Sequence, residues 1–300
     1  MNLLGQRLLL LTENCKDVYE RGDVVVKKFA VHVNEEKKGA FEIAQSLREY
    51  ALKNGCTVVF AKDECPEDAN AIISIGGDGT FLSAARLAYP KDVPVIGINL
   101  GTLGFLTEIE PEDIENKMQM IIDDDFKIEN RMALDILVNI SGDKPIQNFA
   151  LNDAVISKLS LSKILHLGLS INQQFIDLVS GDGIIVASPT GSTAYSMSAG
   201  GPIVEPDLNL LLITPICPHT LFSRPFITDK DSVVKVQVDY SSENAITTID
   251  GNDGYKLVEG DFVEVSKAQK MLKLIRLQDR NFYDVLRWKI FKRGGVTQWL

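Results

Sequence analysis

The apolar run Ile72-Ile73-Ser74-Ile75 ends in Gly76-Gly77-Asp78-Gly79-Thr80, and a helix-like segment, Phe81 to Ala88, follows. Glycines at a strand end let backbone N–H groups face an anion at close range, and the start of the next helix adds partial positive charge. A carboxylate in such a turn is electrostatically out of place unless it has work to do: holding a metal ion or taking a proton. The spacing points to a phosphoryl-transfer site with Asp78 at its centre; the competing reading is a tight turn with a solvent-facing acid. A second glycine loop, Leu100-Gly101-Thr102-Leu103-Gly104-Phe105-Leu106, follows the strand-like Val95-Ile96-Gly97-Ile98-Asn99. Two such loops from neighbouring strands can line one crevice, unless the glycines serve only tight turns.

Two further stretches carry polar groups suited to a ligand. Ile184 to Ala187 reads as a buried strand and runs into Ser188-Pro189-Thr190-Gly191-Ser192-Thr193-Ala194-Tyr195-Ser196-Met197-Ser198. Small side chains leave room beside the backbone, hydroxyls donate and accept, and Tyr195 offers a flat face, which suits a nucleotide better than a lipid or a metal. In Ala150-Leu151-Asn152-Asp153-Ala154-Val155, adjacent polar residues interrupt an apolar strand. On a regular strand they point to opposite faces, so both reach one ligand only if the backbone bulges; a turn or salt-bridged strand end is the alternative.

The elements that must position these residues fall into two kinds. Strand-like Val24–Val33, Thr57–Ala61, Ala71–Ile75 and Val93–Asn99 alternate with helical periods at Ala40, Ile43, Ala44, Leu47, Ala51 and at Ile114, Met118, Ile121. That alternation predicts a parallel, doubly wound sheet, which binds ligands at the carboxyl ends of its strands. Beyond about Ile128 the period becomes two, with strands over Met132–Ile140, Phe149–Ser157, Leu165–Ile171, Leu208–Ile213, Val233–Val238, Ala245–Ile249, Phe262–Val265 and Met271–Leu277. The expected organisation is an N-terminal α/β domain over 1–127, with 1–23 as an extension, and an all-β domain over 128–277. A helix and tail over 278–300 are expected to dock back on the first domain, and the active site to lie in the cleft between the two.

Composition narrows the classes. The chain has 300 residues, 45% hydrophobic and 24% charged, with net charge −10. A charge of that sign argues against a nucleic-acid surface, and an anionic substrate then needs local donors, a helix end or Mg²⁺. Cys15, Cys56, Cys65 and Cys217 lack metal-type spacing and read as free thiols of a reducing, cytoplasmic setting. No run approaches the roughly 20 apolar residues of a membrane span. His32, His166 and His219 read as structural.

Together, Gly76-Gly77-Asp78-Gly79-Thr80, Asn152-Asp153 and the block from Asp182-Gly183 through Pro189-Thr190-Gly191-Ser192-Thr193-Ala194-Tyr195-Ser196 to Ser198-Ala199-Gly200-Gly201-Pro202 resemble the signature of the NAD kinases. The resemblance runs from about Val24 to Leu286. The glycine turn is shared with diacylglycerol-kinase-like lipid kinases and phosphofructokinases; the long second block is not. The resemblance implies transfer of the γ-phosphoryl group of ATP to the 2′-hydroxyl of the adenosine ribose of NAD, with a divalent metal, Mg²⁺ above all, and association as a homodimer or homotetramer. It makes Asp78 the general base, since a ribose hydroxyl is a poor nucleophile unaided. Gly76, Gly77, Gly79 and Thr80 would hold phosphates. NAD would be met by Asp78, Gly79, Phe105, Asn152, Asp153 and Lys163, by Asp182 at the nicotinamide end, by Thr193, Ala194, Tyr195, Ser196, Met197 and Ser198 at the adenine end, and by Asn252. The sequence departs from the family at Ser180, where relatives often carry arginine, and at Asn252, where they carry glutamine. A lipid or sphingoid-type kinase would need an apolar groove or basic patch, a non-catalytic dinucleotide sensor gains nothing from Asp78, and an NAD-dependent oxidoreductase would show Gly-x-Gly-x-x-Gly.

Overall fold

A computed structural model of the chain describes residues 27–101, 104–159, 164–219, 223–239, 245–277 and 281–289. The extension at 1–23, the start of the strand expected from Val24, and Lys163 lie outside the described residues. The chain divides into two compact units, Met1–Lys127 with Ile275–Gln278, and Ile128–Leu274 with Asp279–Leu300.

The first unit contains β1 (Lys28–Val33), α1 (Ala40–Lys53), β2 (Thr57–Phe60), β3 (Ala71–Gly76), α2 (Asp78–Ala88), β4 (Val95–Asn99) and α3 (Ile114–Ile122). β3 and β4 are buried along their whole length, as apolar runs without alternation require of a parallel sheet covered on both faces. β1 pairs in parallel with both β2 and β3, and β3 in parallel with β4. The order β2-β1-β3-β4 therefore reverses direction between β1 and β3, and the loops leaving those two strands diverge there. Ala40, Ala44, Leu47 and Ala51 of α1 and Ile114, Met118 and Ile121 of α3 bury their stripes in one core with Ile73, Ile75, Ile96 and Ile98.

The second unit is antiparallel: β5 (Lys127–Arg131), β6 (Leu134–Asn139), β7 (Ile146–Ala150), β8 (Asp153–Lys158), β9 (Leu165–Ile171), β10 (Gln174–Gly181), β11 (Gly183–Ala187), the single turn α4 (Tyr195–Ser198), β12 (Leu210–Ile216), β13 (Phe226–Asp229), β14 (Val234–Val238), β15 (Ala245–Ile249), β16 (Asn252–Leu257) and β17 (Phe262–Lys267), ahead of β18 (Leu272–Arg276) and α5 (Phe282–Arg287). One sheet runs β10-β9-β14-β17-β6-β7 and the other β13-β12-β11-β8-β15-β16. Leu134, Leu167, Val236 and Val263 of the former share a core with Ile156, Ile184, Val186 and Ile213 of the latter, so the two form a sandwich. β18 and β5 extend the first, parallel sheet in the order β2-β1-β3-β4-β18-β5. Glu108 anchors the return, accepting from Arg276 Nη1 at 3.0 Å and Leu277 N at 2.6 Å.

Several expectations change. The strand expected over Phe149–Ser157 is two strands, broken at Leu151-Asn152. β10 is a strand that period-two reading misses, because its outward side chains are themselves apolar. Asn172 and Gln173, at φ 50° and 68°, form the two-residue turn that joins it to β9. The helix α5 groups with the second unit.

Gly97 in β4 marks where α2 packs closest: an added Cβ would lie 2.8 Å from Thr107 Cγ2 and 2.9 Å from Phe81 Cδ2. Gly97→Ala is expected to cost about 1–3 kcal/mol through overpacking. The check is a lowered urea midpoint at unchanged slope; an unchanged midpoint would contradict this packing.

Candidate active site

In the first unit, β3 ends at Gly76 and α2 begins at Asp78, with Gly77 between them as the helix N-cap. Gly77 N donates to Thr80 Oγ1 at 3.4 Å. A Cβ on Gly76 would lie 2.1 Å from that same hydroxyl oxygen, so the turn closes only around a glycine. The Asp78 carboxylate sits at the amino end of α2, where the helix dipole favours negative charge. It reaches the second glycine loop: Phe105 N donates to Oδ2 at 2.9 Å and Leu106 N to Oδ1 at 3.0 Å. Gly104 makes room for it, since a Cβ there would lie 2.0 Å from Asp78 Oδ1. A carboxylate oxygen can accept more than one hydrogen bond, so holding loop amides does not by itself bar Asp78 from a second role. The Lys37 ammonium, on the loop leaving β1, stands beside both glycine segments and donates to Leu100 O at 2.6 Å.

In the second unit, β8 runs antiparallel to β11 and β15, with Asp153 opposite Ala187 and Ala154 opposite Ile249. The start of β8 and the ends of β11 and β15 thus meet at one end of the sheet, bringing together Asn152-Asp153, the loop from Ser188 and the turn at Asp250. Asp250 organises that end. Its carboxylate accepts from Leu151 N at 2.8 Å, Asn152 N at 2.8 Å and Asp153 N at 3.1 Å. Ser188 N donates to Asn152 O at 2.8 Å and Ser188 Oγ to Leu151 O at 2.5 Å. A Cβ on Gly191 would lie 2.2 Å from Asn152 O, so glycine is what allows the two loops to touch. Asp153 is almost wholly buried, and burial, then the charge of Asp250, pushes its carboxyl up from 3.8 to about 7.

Comparison with known proteins gives this geometry a family. The ATP-NAD kinase N-terminal domain profile matches residues 32–126, and the ATP-NAD kinase C-terminal domain profile matches residues 151–277. The NAD kinase of Acetivibrio thermocellus is 47% identical over 234 residues, 78% of this chain and 81% of that protein. The chain belongs to the NAD kinase family. Solved structures agree in fold. A yeast NADH kinase complexed with NADH superposes with TM-score 0.79 at 23% identity, over 92% of this chain and 89% of that one. An NAD kinase from Archaeoglobus fulgidus in complex with ATP gives 0.71 at 24%, over 87% and 98%.

Set against the NAD kinase signature, most of the expected residues fall in two groups. Gly76, Gly77, Asp78, Gly79, Thr80 and Phe105 are together in the first unit, and Asn152, Asp153, Thr193, Ala194, Tyr195 and Asn252 lie on the segments that converge in the second. Tyr195 is exposed, whereas Ser196 is fully buried with its hydroxyl on Thr214 Oγ1 at 2.8 Å, a structural use of that group. Met197 and Ser198 complete the same turn. Asp182 is not brought to this cluster. It precedes Gly183 at the opposite end of β11, paired with Lys158 Nζ at 2.6 Å. Asn252 Nδ2 turns back to Asp250 O at 3.3 Å. Ser180 Oγ hydrogen-bonds His166 Nδ1 at 2.7 Å.

Sequence reasoning included Gly104 only as one glycine of the second loop and assigned no role to Asp250 or Lys37. The usable signal was position: a lysine pair in the loop that leaves the first strand of a doubly wound pattern lies at the ligand end of the sheet. Among the described residues, no group of three or more His, Cys, Asp or Glu side chains is placed to hold a metal ion.

The raised Asp153 carboxyl has a signed consequence. Between about pH 4 and pH 7 the native chain holds a proton that the unfolded chain has released, so stability falls as pH rises through that window. The slope from this group approaches about 1.4 kcal/mol per pH unit. Urea unfolding across this window should show that fall in the native chain and a flatter profile in Asp153→Asn; equal slopes would remove Asp153 as its source.

Proposed function

We propose that the chain phosphorylates NAD at the 2′-hydroxyl of its adenosine ribose to give NADP, taking the γ-phosphoryl group of ATP. The observation that carries this is the Asp78 carboxylate, placed at a helix start beside a phosphate-type glycine turn and steadied by two loop amides. An acid there gains nothing for phosphate binding alone but has a use when a hydroxyl must lose a proton as it attacks phosphorus. The backbone N–H of Gly79 and the start of α2 face the transferring phosphoryl group, where fixed dipoles stabilise developing charge without reorganising.

Asn152 and Asp153 meet the acceptor dinucleotide. Asp153, neutral below about pH 7, offers a donor as well as an acceptor to ribose or amide groups. Tyr195 supplies the face for adenine, with Thr193, Ala194, Met197 and Ser198 around it. Mg²⁺ would neutralise the donor's phosphate chain, carried mainly on phosphate oxygens and water, as is usual for this ion.

The setting is part of the same proposal. No helix among the described residues is long and apolar enough to cross a membrane. Cys56, Cys65 and Cys217 are unpaired, which suits a cytoplasmic location. β10 is an edge strand that exposes Phe175 at 63%, Ile176 at 45% and Leu178 at 41%, a surface suited to a second copy of the chain in a homodimer or homotetramer. Light scattering should return a multiple of the 33.1 kDa chain mass, with Ile176→Lys shifted toward monomer. A native monomer at micromolar concentration would overturn this.

The activity is tested with NAD, ATP and Mg²⁺, following NADP with an NADP-specific dehydrogenase. Native protein should form NADP and lose activity in EDTA. Asp78→Asn should lose about two to four orders of magnitude in kcat while NAD binding by calorimetry persists. A near-native rate in that variant would sink the base assignment, and no NADP from any phosphoryl donor would sink the kinase.

A further inference from the structure

Arg131 closes β5 and is only 6% exposed. Its Nε is ion-paired with Glu129 Oε1, two residues back on the same face of the strand, and its Nη1 donates to Thr190 Oγ1 at 3.3 Å. Burying a guanidinium costs desolvation that an apolar side chain of similar volume would avoid. What the guanidinium adds is direction. Its planar fork holds donors at fixed angles, so Nε is aimed at a carboxylate and Nη1 at a hydroxyl together.

Thr190 opens the turn that leads into α4. Thr193 Oγ1 donates to Thr190 O at 3.3 Å, and Ala194 N to Gly191 O at 2.9 Å, so the turn passes the placement of Thr190 on to the residues expected at the adenine end. The other hydroxyls of this loop also bond within the protein. Ser188 Oγ donates to Leu151 O, and Ser192 Oγ donates to Val204 O at 3.0 Å while accepting from Val204 N at 3.1 Å. The loop is therefore shaped by its own hydroxyls. Of these, that of Thr190 is the one that meets a charged group among the described residues, and such hydrogen bonds are worth more than neutral ones.

We infer that Arg131 is a positioning residue for the acceptor dinucleotide, acting through Thr190 to fix the turn that carries Thr193, Ala194 and Tyr195. This rests on the kinase reading above and adds to it a residue that lies outside the three signature stretches. Arg131 works on the acceptor side alone, since the Gly76-to-Thr80 turn and Asp78 are held by contacts of their own. Losing its contact is felt in the binding of NAD rather than in the chemical step, which raises KM and leaves kcat little changed.

The test compares native protein with Thr190→Val, which removes the acceptor at nearly equal size, and with Thr190→Ser, which keeps a hydroxyl. A double variant, Arg131→Met with Glu129→Leu, removes both charges together. Thr190→Val and the double variant should each raise the KM for NAD about tenfold, with kcat and the KM for ATP within about threefold of native, and Thr190→Ser should recover most of the loss. Urea midpoints separate this from simple destabilisation: the double variant exchanges a buried ion pair for apolar packing and should keep a midpoint close to the native one. A native KM for NAD in Thr190→Val or in the double variant overturns the inference, as does a parallel rise in the KM for ATP. Should no NADP form from any phosphoryl donor, it is the kinase reading that has failed. Calorimetry of NAD binding then decides this one: weaker binding to Thr190→Val than to native protein supports it, and equal or absent binding overturns it.

Discussion

A carboxylate gripping successive backbone amides is the interaction on which both candidate sites depend. Asp78 takes the amides of Phe105 and Leu106, and Asp250 takes those of Leu151, Asn152 and Asp153. The device recurs away from the sites: fully buried Asp261 accepts from Ser141 N and Val258 N, each at 2.8 Å. Loop amides turned inward have no ladder to join, and leaving them unpaired costs more than a neutral hydrogen bond returns. An ionised acceptor satisfies several at once and fixes the loop's path. Part of the acidity of this chain is thus spent on its own backbone.

The grip has a steric condition, and glycine meets it on both sides. Asp78 could not lie against its loop if Gly104 carried a Cβ, nor could the Ser188 loop reach Asn152 if Gly191 did. The small residues that make these segments look like ligand loops therefore have two duties. Some leave open space beside the backbone, and others let protein segments approach one another. Ser196 belongs to the second kind, with its hydroxyl turned to Thr214.

Much of the fold was legible because its signals are local. The apolar run into Gly76 and the helical stripe of α1 declare strand and helix by composition and period alone, and the outcome is the expected α/β unit followed by a β-rich one. What stayed hidden was set at long range. The Asn152-Asp153 pair hints at a bulge or turn, but the break itself is made by amides bound to Asp250, 97 to 99 residues away. β10 concealed itself by carrying apolar residues on its outer face. Lys37 has no motif; its place beside Gly77 follows only once the strand order is known. Asp78, by contrast, stood out as the single acid within a glycine turn of phosphate-binding type.

The return of the chain to its first sheet sets an order of events during synthesis. Arg276 and Leu277 meet Glu108 across 168 and 169 residues, and Ile275 and Leu277 enter the core built by α1 and α3. A ribosome must therefore deliver nearly the whole polypeptide before the parallel sheet can receive β18. Closing so long a loop is entropically slow, and until then one flank of β4 stays open to other strands. The early half of the protein is the half a chaperone has most reason to hold.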